Sequence, residues 1–161
     1  MLNEYQVNRM WESMLAAEAR SLYFADLAAN YTHQKQWITG LSFFLSSGAA
    51  ATVISKAPSW VPIVLALTAA GINAYSIAVN LDRKIGTMVK LYSAWNHIAT
   101  EYERLWNHAY DEDAESRLAA IIQQEREPSG LAATDAPNNQ KLLGKWQDYV
   151  LRMYHLTEQH G

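Results

Sequence analysis

Apolar residues recur at helical spacing from the start of the chain. Val7, Met10, Trp11, Met14, Leu15, Leu22 and Leu27 form one stripe over residues 2–36, with no proline or glycine to interrupt it. This predicts a single long helix. The periodicity then gives way to two stretches without charge, residues 36–55 and 57–81, separated by Lys56. About 20 residues in a helix rise about 30 Å, the thickness of the hydrocarbon core of a bilayer. The pattern therefore predicts transmembrane helices at 37–55 and 60–81. Ser59 is placed to cap the second, and Pro62 falls in its first turn, where a missing N–H costs nothing. Trp37 and Trp60 stand at the two segment starts, as interfacial anchors do. Residues 56–59 read as a tight external turn, which makes the pair an antiparallel hairpin.

After the hairpin the pattern becomes heptad-like. Ile85, Tyr92, Ala99 and Trp106 recur every seven residues, as do Met88, Trp95, Tyr102 and Ala109. Four heptads with apolar or aromatic a and d positions predict a coiled-coil helix over 82–110. Its expected partner is the N-terminal helix, 1–36, of the same chain, with further copies around an axis. In this reading long helices run unbroken into both spans. The acidic run at 111–116 breaks the pattern. Its alternating carboxylates look like the start of an EF-hand, but Ser116 replaces the required glycine and Ile122 the final glutamate, so a solvated helix cap is the better reading. The remainder, 111–161, reads as a cytoplasmic helical extension: a helix over about 114–127, a loop over 128–139, and an amphipathic helix. The last carries Leu142, Leu143, Trp146, Tyr149, Val150, Met153 and Tyr154 on one face. The expected fold class is all-α: a two-helix transmembrane hairpin continuing into a cytoplasmic coiled-coil bundle.

Charge and composition sharpen this picture. Half of the 161 residues are hydrophobic and 18% are charged, less than the quarter or so typical of soluble domains. No cysteine is present, which excludes disulfides and zinc–thiolate sites, and a net charge of −3 argues against a generic basic nucleic-acid binder. The first apolar run begins too far in for a signal peptide, and a second follows at once. Arg20 and Lys35 precede the first span, and Arg83, Lys84 and Lys90 follow the second, so both termini are expected in the cytoplasm. The competing reading is a buried hairpin in a soluble bundle, which the serines and threonines of the first span favour. Residues 111–161 hold five basic and nine acidic side chains, a net −4.

Neither span is plain lipid-facing leucine. Ala66, Ala70, Ala74 and Ala78 form a small-residue ridge, and Ser47, Ala51 and Ser55 repeat that spacing on the first span. Thr39, Ser42 and Ser46 form a polar stripe, as do Asn73, Ser76 and Asn80, which Lys84 extends. Amides are costly in hydrocarbon, so these stripes face protein or water. Either they are interhelical hydrogen-bonding groups or they line a pore between assembled hairpins; Asn73, Ser76, Asn80 and Lys84 are the candidate lining.

No glycine-rich phosphate loop and no hydrolase or metalloprotease motif occurs. The histidines at 33, 97, 108, 155 and 160 are scattered, and His155 with Glu158 makes a weak metal pair. No nucleophile stands beside a base, so no enzymatic activity and no cofactor or metal are expected. Binding is easier to support. Aromatics interleaved with basic residues can stack on bases and meet phosphates; the candidate ligand set is Arg83, Lys90, Tyr92, Trp95 and Arg104. The plainer reading is that most aromatics on the apolar faces are core.

The layout resembles the SLATT family of two-span bacterial effectors found beside nucleotidyltransferases. The resemblance covers residues 1–110. It rests on the long first helix ending His33-Gln-Lys-Gln-Trp-Ile-Thr-Gly-Leu-Ser42, the serine- and alanine-rich first span and the short turn. It rests also on the second span leading into Asn80-Leu-Asp-Arg-Lys-Ile85 and on the helix with Tyr92, Trp95 and Tyr102. Arg9 and Arg20 stand almost alone in a helix that in the family is richer in arginine. The resemblance implies an inner-membrane effector of antiphage defence that oligomerises, breaches the membrane and stops growth of the infected cell. It implies a controlling nucleotide or short DNA oligomer made by a partner nucleotidyltransferase, as in Hailong-type systems. A homo-oligomeric ion channel, expected as a tetramer, follows; a non-conducting membrane-anchored scaffold or receptor is the alternative.

Overall fold

A computed structural model describes residues 1–46, 58 and 60–154 of the chain. Among these residues all regular structure is helical: α1 (Glu4–Ser46), α2 (Trp60–Val79), α3 (Leu81–Trp106), α4 (Ala114–Gln124), α5 (Arg126–Asp135) and α6 (Gln140–Met153). The all-α class is as the periodicity requires. The ridge at Ser47, Ala51 and Ser55, the latter part of the span 37–55, the turn around Lys56, the Ser59 cap, and His155, Glu158 and His160 lie outside the described residues. The chain divides into two compact units, residues 1–27 with 87–161, and residues 28–86.

The first unit is a helical bundle with a continuous core. α3 contributes Met88, Leu91, Trp95, Ile98, Tyr102 and Leu105, all at most 2% exposed. Their spacings of three and four residues make a coiled-coil seam. This corrects the expected heptad register. The Met88–Trp95–Tyr102–Ala109 series is buried, but its companion is Leu91, Ile98 and Leu105, whereas Tyr92 and Trp106 are exposed. Large aromatics at heptad spacing satisfy the sequence pattern, but Leu91 and Ile98 of the aliphatic row border a cavity with Gln124, Pro128 and Leu131 of the C-terminal helices.

α1 answers with Met10, Met14, Ala17, Ser21 and Phe24, again at alternating spacings of four and three, all buried. Ala17 and Ser21 are small enough to let the helices approach closely. The two helices are antiparallel. Leu2 N donates to Ala109 O at 3.0 Å, and the rings of Trp11 and Trp106 lie 4.8 Å apart. Near the other end the Arg20 guanidinium sits over the Trp95 ring. A second buried row on α1, Leu15, Ala19, Tyr23 and Leu27, widens the buried surface beyond one stripe.

The C-terminal region closes the bundle. α3 ends at Trp106, ahead of the acidic run, and residues 107–113 are turns and bends. Asp113 occupies the cap position of α4 without a side-chain cap bond; its carboxylate pairs with Arg117 at 2.7 Å. Leu118 and Ile121 of α4 are buried. The loop expected at 128–139 is corrected, because 126–135 is helix α5. Pro128 falls in its first turn, where no intrahelical N–H is needed, and the residues after Gly130 include the good helix former alanine. Proline and glycine thus read as loop in sequence but open a helix here.

The second unit pairs the later part of α1 with α2. Trp37, Ile38 and Leu41 of α1 surround one groove with Thr68, Gly71, Ile72 and Tyr75 of α2, so the helices run antiparallel. Lys35 bonds Asp82, and the Lys84 ammonium lies 5.7 Å from the centre of the Tyr31 ring. A half-buried row, Leu65, Ala69, Ile72, Ser76 and Val79, marks the sheltered side of α2. The rest of its surface is apolar and uncovered: Trp60, Ile63, Leu67 and Ile77 are 62–81% exposed. Among the described residues one helix is long and apolar enough to cross a membrane, and none of its apolar window is buried.

Asn80 separates α2 from α3 with φ of 45°, the only non-glycine residue with positive φ among those described. Helix does not therefore run unbroken from α2 into α3, as the sequence pattern implied. Asparagine enters the left-handed region more readily than most residues. Its carbonyl accepts from Lys84 N at 3.2 Å, which opens α3.

Candidate functional site

One cavity of the bundle, of about 390 Å³, is bordered by α1, α3, α5 and the first turn of α6. α1 supplies Arg20, Tyr23 and Phe24; α3 supplies Trp95; Asn138 and Asn139 come from the connection into α6. The local structure explains why these residues meet. The Tyr23 hydroxyl donates to Pro137 O and accepts from Asn139 N, pinning the connection to α1. Asn139 caps α6, its side chain accepting from Leu142 N at 3.1 Å. One turn along α1, Asp26 accepts from Trp146 Nε1 at 3.1 Å and lies 3.7 Å from Lys145 Nζ. Both ends of the α6 first turn are therefore tied to the same helix.

The polar groups of the cavity are unevenly satisfied. The Arg20 guanidinium lies 4.5 Å from the Trp95 ring centre, a cation–π distance. Among the described residues no carboxylate stands within 4.0 Å of it. Trp95 is 1% exposed, and its indole Nε1 is buried without a hydrogen-bond partner. A buried, unsatisfied donor is rare in folded proteins.

A second cavity of the bundle is lined by Lys90, His97, Glu127 and Pro128 among others, and carries both charge signs. Two residues before Arg20 on α1, the Glu18 carboxyl is held above its ordinary pKa by burial, partly offset by its bond from Tyr154, with Glu103 adding repulsion. The Tyr154 phenol is raised by burial and then by Glu18 and Glu103. Tyr102, fully buried, donates to Glu125 Oε1 at 3.0 Å. Burial, then that carboxylate, holds its hydroxyl far above the ordinary phenol range, so it is a structural donor. Among the described residues no cluster of three or more potential metal ligands occurs.

The structure does not gather the sequence-predicted ligand residues into one place. Trp95 is core and half of a cation–π pair with Arg20. Tyr92, three residues away, points outward at 40% exposure. Arg104 is paired with Glu101 at 2.6 Å on the surface. Lys90 borders the second cavity, and Arg83 lies in the other unit. Of the candidate lining residues, Asn73 and Lys84 are exposed, Ser76 lies on the half-buried row, and Asn80 forms the break between helices. Arg20, Tyr23, Asn138 and Asn139 were missed as a site. The signals present were a lone arginine inside an apolar helix and an Asn-Asn pair before an amphipathic one. No protein-family model matches the chain, and neither does any curated protein or solved structure.

Proposed function

We propose that this protein is a homo-oligomeric ion channel of the bacterial inner membrane, an antiphage effector gated from the cytoplasm by a nucleotide or short oligonucleotide from a partner nucleotidyltransferase. The observation that carries the membrane part is the uncovered apolar surface of α2. Side chains such as Leu67 and Ile77 at 68% and 81% exposure are stable only against lipid or another protein. Backbone groups within a helix are satisfied internally, and the Thr68 hydroxyl donates to Val64 O at 2.8 Å, so this segment carries little unmet polarity into hydrocarbon. The antiparallel pairing of α1 with α2 supports a hairpin, and the basic residues at its open end support a cytoplasmic bundle. The channel part rests on Asn73 and the alanine ridge at 66, 70, 74 and 78, which all face away from the chain's own partner helix. An outward amide in a membrane needs protein or water, which an assembly of hairpins supplies. Asn73, Ser76, Asn80 and Lys84 are the proposed lining.

A second reading, a non-conducting anchored scaffold, is favoured by Asn80. Its left-handed backbone gives that asparagine a structural reason without a pore. Planar-bilayer recording of the full-length oligomer, with and without nucleotides and short DNA oligomers, separates the two. Discrete ligand-sensitive currents altered by Asn73→Leu support the channel. Silence from folded, membrane-inserted protein under every ligand favours the scaffold.

A further inference from the structure

We infer that the bundle cavity beside Arg20 is a binding site for a single nucleotide, its phosphate held by the Arg20 guanidinium. This rests on the reading above that a nucleotide controls the protein, and it assigns that ligand a place.

Three independent features point to an anion with a flat polar body. First, Arg20 offers a fork of N–H donors that no carboxylate occupies among the described residues, and stacking on Trp95 fixes the plane of that fork. Second, Trp95 Nε1 is a buried donor without an acceptor in the chain. A protein does not ordinarily leave such a donor unmet. Third, the first turn of the 14-residue helix α6 borders the cavity through Asn139 and Leu143, adding the positive end of a helix dipole.

The opposite wall changes the ligand from a bare anion to something larger. The last turn of α5 borders the cavity with Ala132 and Ala133, whose small side chains leave room for a ring beside them. Asn138 places a donor and an acceptor side by side, the pattern that reads a base edge. About 390 Å³ lies at the low end of small-molecule sites, room for one nucleotide and not for a folded oligomer. If the controlling ligand is short DNA, only its terminal nucleotide enters. Because the cavity is built by α1, α3, α5 and α6 together, occupancy ties the C-terminal region to the two long helices.

The test uses the full-length chain in detergent, titrated by calorimetry with deoxyadenosine 5′-monophosphate, deoxyadenosine and inorganic phosphate. Saturable binding of the nucleotide, at least tenfold tighter than of either fragment, is expected. Arg20→Gln should weaken it tenfold or more, Arg20→Lys by less, and the exposed Asn138→Ala about threefold. No saturable binding to the parent protein overturns the site. So does equal binding by Arg20→Gln or, should that variant not fold, by both Asn138→Ala and Arg20→Lys. Phosphate binding as tightly as the nucleotide overturns the assignment of the base. Bilayer recording keeps the two proposals apart. Nucleotide-sensitive currents unchanged in Arg20→Gln sink the site and leave the channel. Binding lost in Arg20→Gln, from a protein that never conducts, sinks the channel and leaves the site.

Discussion

The two units of this chain use hydrophobic side chains in opposite ways. In the bundle, Trp95, Tyr102, Leu91 and Leu105 are at most 2% exposed, and the outside mixes charged side chains with exposed aromatics such as Tyr5, Tyr92 and Tyr110. In the 28–86 unit the large apolar side chains of α2 point outward, and the more sheltered row includes a serine and an alanine. The first arrangement is what water selects, because about 25 cal/mol is gained per Å² of apolar surface removed from it. The second is stable only where the surroundings are themselves apolar. If α2 lies in a bilayer, as proposed above, the same chain carries a record of two solvents.

The largest test of that contrast places charge on the outward face. Leu67→Arg with Ile77→Arg should cost about 3–5 kcal/mol of membrane insertion, roughly 3 kcal/mol for the central Leu67 and less for Ile77 in the last turn of α2. Alkaline extraction of membranes should move the variant from the integral fraction to the soluble or aggregated one, with the bundle still helical. A doubly substituted protein that stays integral would break the two-solvent reading.

Truncation inside the bundle gives the next largest effect. Leu91 is fully buried, so Leu91→Ala should lose about 2–5 kcal/mol of bundle stability, a fall in melting temperature beyond 10 °C. Leu67→Ala, by contrast, removes nothing the bundle packs against and should leave its melting within about 0.5 kcal/mol. Equal losses from the two substitutions would mean that α2 belongs to a water-facing core after all.

The break between α2 and α3 sharpens the comparison at one residue. Asn80→Leu should cost about 1–2 kcal/mol, because a β-carbon with a bulky branch strains the left-handed conformation, whereas Asn80→Gly should be nearly neutral. Recording the two variants side by side separates backbone from amide. Equal damage to conductance by glycine and leucine would place the amide itself in the pore.

The smallest effect is electrostatic. The Glu18 pKa is raised from 4.5 in the folded chain by burial. Its protonated form therefore stabilises the fold below about pH 4.5, and that contribution is lost as pH rises through the raised value. Glu18→Gln should raise the melting temperature at pH 7 by an amount worth under about 1 kcal/mol, after solvent screening. It should flatten the dependence on pH over that window. A lower melting temperature at pH 7 would show that the ionised carboxylate, through Tyr154, is net stabilising.

Local pattern made much of this legible. The unbroken helix over the first 36 residues, the uncharged stretch at 60–81 and the last amphipathic helix all follow from side-chain period, hydropathy and the absence of breakers. These depend on neighbours within one or two turns. The partial misreadings share one cause. Met88, Trp95 and Tyr102 were placed on the seam, but Ile85, Tyr92 and Trp106 were chosen over Leu91, Ile98 and Leu105. Period alone gives two adjacent rows equal claim. Pro128 and Gly130 read as punctuation in sequence, although a proline in a first turn obstructs nothing.

What the sequence by itself determined is most of the helical segments, all but α5, and which of them is apolar enough to cross a membrane. Charge and hydropathy act on each segment separately, and α2 is a 20-residue helix without a charged side chain. The tertiary structure alone decided which aromatic is core and which is surface, where the α2–α3 break falls, and that Arg20 meets Trp95, Asn138 and Asn139. Those choices depend on partners more than a hundred positions apart, as Tyr23 and Pro137 are. A side chain's local period fixes its direction on a helix, but what stands opposite it is set only when the helices pack.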